Sequence, residues 1–351
     1  MEHYIDSYPG REISIDSVSH LYFGGTSYLG LQTNKDFQEI FISNVKKYGT
    51  NYGASRKSNV RFSVYDETEK YLATTVDSEA CITMSSGYLA GQLVADYYNS
   101  PKHKLFYTPN THCAVKQNNT ATYKSYGQLQ QDVYEHIQDN SKKTPVILLD
   151  SIDFSGHNYP NFESLKKLPI KECILVVDDS HGIGILGENG GGVFQFLKKL
   201  KPKELIVCSS LGKGFAIQAG AIFGNKKTIF NLINTPFFGG ASPATPANIA
   251  TLKDAKAIYA ISREKLHANT TYFTSKIKRL SYFNFMKGHP SFTFTNEKLT
   301  NYLMQNKVIV TNFNYPNKNS PLMSRIVINA LHLKNDIDFL IKCLYKFSEE
   351  N

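Results

Sequence analysis

Short runs of consecutive apolar residues, each of strand length, recur through the first two thirds of the chain, at residues 80–84, 104–107, 146–150, 173–178, 205–209 and 219–223. A run that is apolar on both faces of the pleat predicts a strand buried on both sides, because a strand half-exposed to water would alternate. Between several of these runs lie segments with helical spacing, such as residues 88–98 and 162–168. Strands alternating with helices predict a mainly parallel sheet covered by helices on both faces. The pattern therefore predicts an α/β body over residues 46–235. The stretch Asn234-Thr-Pro-Phe-Phe-Gly-Gly-Ala-Ser-Pro-Ala-Thr-Pro is dense in turn formers and marks the edge of that body. Beyond it, residues 247–280 are predicted as one long helix and residues 335–347 as a closing helix. Residues 236–351 thus form a linking helix and a smaller α+β C-terminal domain, on which the N-terminal segment, residues 1–45, is expected to dock.

Composition narrows the class. Hydrophobic residues make up 41% of the 351 and charged residues 20%, a balance that supports a packed core and excludes a disordered chain. No apolar run reaches the length of a membrane span, and the N-terminus lacks the cationic-then-apolar order of a signal peptide. A cytoplasmic protein is expected. Cys81, Cys113, Cys173, Cys208 and Cys343 have no CxxC spacing, so they are read as reduced thiols, with no disulfide and no metal site. The formal charge of +9 favours anionic ligands, yet the lysines are spread in pairs with no nucleic-acid-binding pattern around them. Nucleic acid is not an expected partner.

The candidate chemistry starts at VVDDSHGIGILGENGGG, residues 176–192, where Gly182, Gly184 and Gly187 spell Gly-x-Gly-x-x-Gly after an apolar run. A dinucleotide fingerprint needs its first glycine at the strand end and a helix opening at its last. Here Asp178-Asp179 follow the strand, and two carboxylates would repel a pyrophosphate. Three consecutive glycines, residues 190–192, are also poor material for a first helical turn. The glycines are read as shaping the loop that leaves the strand.

An Asp at the carboxyl end of a buried parallel strand is where open α/β sheets present groups to a ligand. The next strand ends in Ser209-Ser210-Leu211-Gly212-Lys213, which places a lysine just past the neighbouring strand end. A carboxylate and a lysine converging there suit pyridoxal 5'-phosphate: the lysine forms the Schiff base, and the Asp keeps the pyridine nitrogen protonated. Ser210 and Lys213 also fit the Ser-x-x-Lys of serine acyl-enzymes. That reading lacks its Ser-Asp-Asn and Lys-Thr-Gly elements here.

Five motifs in order resemble the α-oxoamine synthases, a family of fold-type I pyridoxal phosphate enzymes. SYLGL (residues 27–31) is similar to Asn-Tyr-Leu-Gly-Leu, and YGTNYGASR (48–56) to Tyr-Gly-Thr-Gly-x-Gly-Gly-Ser-Arg. SSGYLAG (85–91) resembles Ser-Ser-Gly-Phe/Tyr-x-Ala-Asn; DDSHGIGILGENGGG (178–192) resembles the family's Asp-Glu-Ala-His-Gly block, and SSLGKGF (209–215) its Thr-Leu-Gly-Lys-Ala-Phe. The resemblance implies a large domain with a mainly parallel sheet of the seven-stranded type, flanked by helices, plus a small α+β C-terminal domain. It makes Lys213 the Schiff-base lysine, Asp178 the partner of the pyridine nitrogen, His181 the partner of the phenolic oxygen and His112 the ring stacked on the pyridine. Gly87, Tyr88 and Ser210 would hold the phosphate, Gly87 and Tyr88 through the free N–H groups of a helix start.

In SRIVINALH (324–332), Arg325 would grip the substrate's α-carboxylate in a bidentate manner, and Ser27 lies where the family approaches the substrate. The segment Asp150-Ser-Ile-Asp-Phe-Ser-Gly156 is only loosely similar to its counterpart, so either Asp153 or Ser155 could face the cofactor. The implied activity is a decarboxylating condensation of a small amino acid with an acyl-CoA to an α-amino ketone, in a homodimer with active sites at its interface. An aminotransferase or other fold-type I enzyme, and a catalytically silent protein that kept the fold, are the rival readings.

Overall fold

The computed structural model describes residues 3–117, 120–139, 142–315 and 317–350. The chain divides into two compact units. A terminal unit comprises Met1–Gln38, Phe154–Gly156 and Ala257–Asn351; a central unit comprises Glu39–Asp153 and His157–Lys256. In chain order, β1 (Glu12–Ile15) and β2 (Val18–Phe23) belong to the terminal unit. The central unit holds β3 (Ala80–Met84), β4 (His103–Tyr107), β5 (Thr144–Asp150), β6 (Ile174–Asp178), β7 (Glu204–Ser210) and β8 (Gly220–Gly224). The terminal unit resumes with β9 (Asn284–Phe285), β10 (Ser291–Phe294), β11 (Val308–Asn314) and β12 (Leu322–Val327).

The six apolar runs of the sequence are the six strands of the central sheet, in the order β3-β8-β7-β6-β5-β4. Strands β4 to β7 run parallel, and β8 is antiparallel to both its neighbours. Val146 to Leu149, Val176 and Val177 are fully buried, as strands covered on both faces must be. Each such side chain stabilises the fold by about 1.5–3 kcal/mol relative to exposure. Ile82, Leu93, Val94, Val176, Ile206 and Ile222 pack in one core on the face covered by helix Gly87–Tyr98. A seventh strand is not found among the described residues. Between Tyr107 and helix Tyr126–Gln138 the sequence is largely polar, and one main-chain bond, Tyr123 N–H to the Tyr107 carbonyl at 3.1 Å, is what the β4 edge gains there.

The unit boundaries fall at residues 38/39 and 256/257, against 45/46 and 235/236 in the sequence reading. Hydrogen bonding explains the shift. The Tyr65 hydroxyl donates to the Ala244 carbonyl, Thr68 to the Ile249 carbonyl, and the Asn44 amide to Thr251, all within the central unit. The single helix expected at 247–280 is two, Pro246–Asp254 and Lys256–Lys276, broken at Ala255 without a glycine or proline to announce it. The C-terminal helix, Lys334–Glu350, is as expected to within a few residues.

The terminal unit has its own six-stranded sheet, β1-β2-β11-β12-β10-β9. Strand β2 runs parallel to β11, which incorporates the N-terminal hairpin into this sheet. Its core gathers Phe23, Phe273, Phe292, Ile326, Leu340 and Phe347. Among the described residues no helix is long and apolar enough to cross a membrane.

Candidate active site

Parallel register aligns the carboxyl ends of three neighbouring strands: Asp150 on β5 pairs with Asp178 on β6, and Asp178 with Cys208 on β7. Neighbouring strands lie ~4.8 Å apart, so two carboxylates stand side by side at one sheet edge. Asp178 is buried and Asp150 half-buried, and desolvation followed by the Asp178 charge pushes the Asp150 carboxyl well above its ordinary pKa. Lys213 opposes that shift from the short helix Leu211–Gly214, which begins where β7 ends. The Asp150 Oδ2 accepts the main-chain N–H of His112 at 2.7 Å. The His112 ring, whose Nδ1 accepts from the Ala114 N–H, is held below its ordinary pKa by burial, with Asp178 opposing and Lys213 reinforcing the shift. Asp178, Lys213 and His112 are therefore within electrostatic reach of one another, and Asp150 joins them.

Around this cluster the central unit forms a cradle. Helix Gly87–Tyr98 is capped by the Ser86 hydroxyl, which accepts from the Leu89 N–H at 3.2 Å, while the N–H groups of Gly87 and Tyr88 find no acceptor among the described residues. A Cβ on Gly87 would stand 2.6 Å from the Ser210 Cα, so only glycine lets this helix start approach the end of β7. The Tyr88 side chain is half exposed; its backbone contributes to the cradle. Ser210 caps the lysine helix and donates its N–H to the Ser180 hydroxyl at 2.8 Å. Ser180 also donates its own N–H to the Asp178 Oδ1 at 2.9 Å, so one residue ties the two strand ends together. His181 follows in the turn, half buried.

Asp179 points away from this edge into the glycine loop. Its Oδ1 accepts from the Ser151 hydroxyl at 2.5 Å and its Oδ2 from the Val193 N–H at 3.0 Å. Burial outweighs these bonds and pushes its pKa up to about 7. The folded state then holds a proton that the unfolded chain releases above the ordinary carboxylate range. This group's contribution to stability therefore falls as pH rises from about 4 to about 7, by at most ~4 kcal/mol. Chemical denaturation of the wild type and of Asp179→Asn across that window checks this. The stability difference between the two proteins is expected to change with pH in that direction, and a constant difference would refute it.

In the terminal unit, Arg325 sits mid-sheet on β12, opposite Thr293 of β10 and Thr311 of β11, and is only 5% exposed. Its Nη2 donates to the Met323 Sδ at 2.8 Å, while Nε and Nη1 have no hydrogen-bond partner among the described residues. Burial lowers its pKa below the ordinary arginine value. An orphaned, buried guanidinium edge is costly unless a ligand satisfies it. Ser27 bonds to the Tyr8 hydroxyl and accepts from the Gln32 amide at 3.1 Å. His332, which completes the Arg325 motif, is structural: it stacks on Phe23 at 4.0 Å, its Nε2 lies 3.0 Å from the Tyr22 carbonyl, and burial lowers its pKa to about 4. Of the two residues left open, Asp153 belongs to the central unit and accepts from the His157 N–H at 3.1 Å, whereas Ser155 belongs to the terminal unit and is exposed. Sequence reasoning missed Asp150, Ser180 and Ser86; Ser86 carried a signal as a serine directly before a predicted helix, and Asp150 as the last residue of an apolar run.

No protein-family model matches the chain. Curated proteins match it almost end to end. The 8-amino-7-oxononanoate synthase of Petrotoga mobilis is 25% identical over 366 residues, spanning 98% of this chain and 92% of its own. That of Thermosipho melanesiensis is 24% identical, spanning 99% and 93%. Among solved structures, Sphingomonas wittichii serine palmitoyltransferase superposes with a TM-score of 0.83 at 14% identity, covering 99% of this chain and 92% of that one. The 8-amino-7-oxononanoate synthase of Francisella tularensis gives 0.73 at 22%, covering 94% and 98%. The resemblance to the α-oxoamine synthases thus runs the length of the chain, and the architecture is that of the fold-type I pyridoxal phosphate enzymes.

Proposed function

We propose that this chain, a relative of the α-oxoamine synthases, is a pyridoxal 5'-phosphate-dependent acyltransferase that condenses a small amino acid with an acyl-CoA and releases CO2, CoA and an α-amino ketone. The observation that carries the reading is the gathering of Asp178, Lys213 and His112 at one buried sheet edge beside a helix start with two unspent N–H groups. That donor set fits the cofactor. An acid-lined edge suits a protonated pyridine, an amine suits the aldehyde, and the Gly87–Ser210 approach leaves backbone donors for the phosphate. When bound, the cofactor supplies a carbonyl that condenses with amines and a ring that accepts electron density.

The chain's own residues would then act as follows. Asp178 holds a proton on the ring nitrogen. His112, whose pKa burial lowers, would lie against the cofactor ring, and His181 would donate to its phenolic oxygen. Gly87, Tyr88 and Ser210 hold the phosphate. Lys213 would supply the amine that holds the cofactor's aldehyde and, when free, the base that takes the amino acid's Cα proton. Arg325 would donate to the α-carboxylate, its Nε and Nη1 having no hydrogen-bond partner among the described residues. The Cα carbon attacks the thioester carbonyl, the thiolate leaves with a proton, and the β-keto acid loses CO2. By the same resemblance the working form is a homodimer.

Thiol release from acyl-CoA esters of graded chain length, each paired with glycine, L-alanine or L-serine, tests this reading. One thiol and one CO2 per turnover are expected with at least one pair. No release with any pair, together with conversion of the cofactor to its amine form by an amino acid, would replace the reading with an aminotransferase.

A further inference from the structure

A buried arginine is normally held by a carboxylate, because an unpaired charge away from water is expensive. Arg325 is not held that way: among the described residues no carboxylate lies within 4.0 Å of it. What covers the guanidinium is the ring of Phe154, whose centroid is 4.2 Å from the Arg325 Cζ. Phe154 and the two residues after it belong to the terminal unit, whereas Asp153 and His157 on either side belong to the central one. Its backbone is in the left-handed region, φ 54°, which a non-glycine residue adopts at a cost and keeps only where its surroundings hold it. The ring meets His289, fully buried, edge-on at 5.9 Å and 78°, and Tyr28 also meets that histidine edge-on, at 5.7 Å and 75°.

We propose that Phe154 is the positioning residue for the substrate carboxylate. Its π face fixes the plane of the Arg325 guanidinium by cation–π attraction in place of an ion pair. A carboxylate neighbour would occupy the in-plane N–H donors and compete with the ligand. A ring lying over the face holds the charge and leaves the in-plane Nε and Nη1 donors unspent among the described residues. A buried cation–π contact is strong enough to matter for affinity and carries no net negative charge to repel the incoming carboxylate.

The inference rests on the reading that Arg325 binds the α-carboxylate, and the experiment separates the two. Dissociation constants for glycine, L-alanine and L-serine are measured from the absorbance change of the cofactor-loaded protein, for the wild type and for Phe154→Leu, Phe154→Tyr, Phe154→Trp and Arg325→Ala. Phe154→Leu keeps bulk and loses the π face. It is expected to weaken all three amino acids alike, by about 3- to 30-fold. The pyridoxal phosphate affinity and the kcat of Phe154→Leu should be unchanged, the loss being confined to KM. At least one of the aromatic variants should restore binding to within a few-fold of wild type, which a merely space-filling role would not require. Unchanged constants in Phe154→Leu, or no better binding in either aromatic variant than in leucine, would overturn the role of Phe154. Unchanged constants in Arg325→Ala would overturn the carboxylate reading instead.

Discussion

Lys213→Ala is expected to abolish thiol release to below about one thousandth of the wild-type rate, and to remove the absorption band near ~400 nm that pyridoxal phosphate shows when joined to a lysine amine. The structure gives the substitution two separate effects. It removes the amine at the one edge where Asp150, Asp178 and His112 meet, and so removes the base of the proposed proton transfer. It also removes the cation that opposes the rise in the Asp150 pKa, so Asp150 should become harder to ionise and cofactor affinity should fall. These effects can be told apart. A small primary amine added to the variant replaces the base but not the anchored charge, so it should restore part of the rate while cofactor affinity stays low. A variant with an unchanged spectrum and unchanged turnover would refute both the cofactor assignment and the role of Lys213.

The legibility of this site in the sequence follows from what each residue depends on. Asp178 and Lys213 were readable because each sits at or just past the end of an apolar run, and strand ends are what such runs mark. His112, Gly87 and Arg325 were carried by motif resemblance. Asp150 ends a run just as visible as that of Asp178, but its meaning lies in the β5–β6 register, which pairs it with a residue 28 positions away. No local pattern encodes that pairing. Ser180 looked like a departure from a family alanine; only the turn geometry shows its hydroxyl joining two strand ends. Phe154 was unreadable for the same reason, since its partners, Arg325 and His289, lie more than a hundred residues downstream. In the fold, the apolar runs gave the central sheet to within a residue or two, because burial on both faces leaves no alternative composition. The unit boundaries were missed because hydrogen bonds such as Tyr65 to Ala244, rather than composition, decide where residues 236–256 pack.

Gly192→Ala is expected to be strongly destabilising in the loop that first resembled a dinucleotide motif, by about 3–6 kcal/mol in chemical denaturation. Gly192 has φ 70°, where an L side chain is strained by roughly 1–3 kcal/mol before any contact is counted. Its Cβ would stand 1.9 Å from the Asp179 Oδ2, an overlap that no rotation of a buried, doubly hydrogen-bonded carboxylate absorbs without loss. Displacing that oxygen leaves the Val193 N–H without its acceptor in a buried setting, which adds roughly 1–3 kcal/mol. A double-mutant cycle isolates the cause. Asp179→Ala alone loses the two hydrogen bonds, but in its background the added methyl has room. The double variant should therefore be more stable than the sum of the single effects predicts, by at least about 1 kcal/mol. Strict additivity would mean that backbone strain alone carries the cost. In that case the glycine at 192 would be required by its φ, and the fit of the loop around Asp179 would be incidental to it.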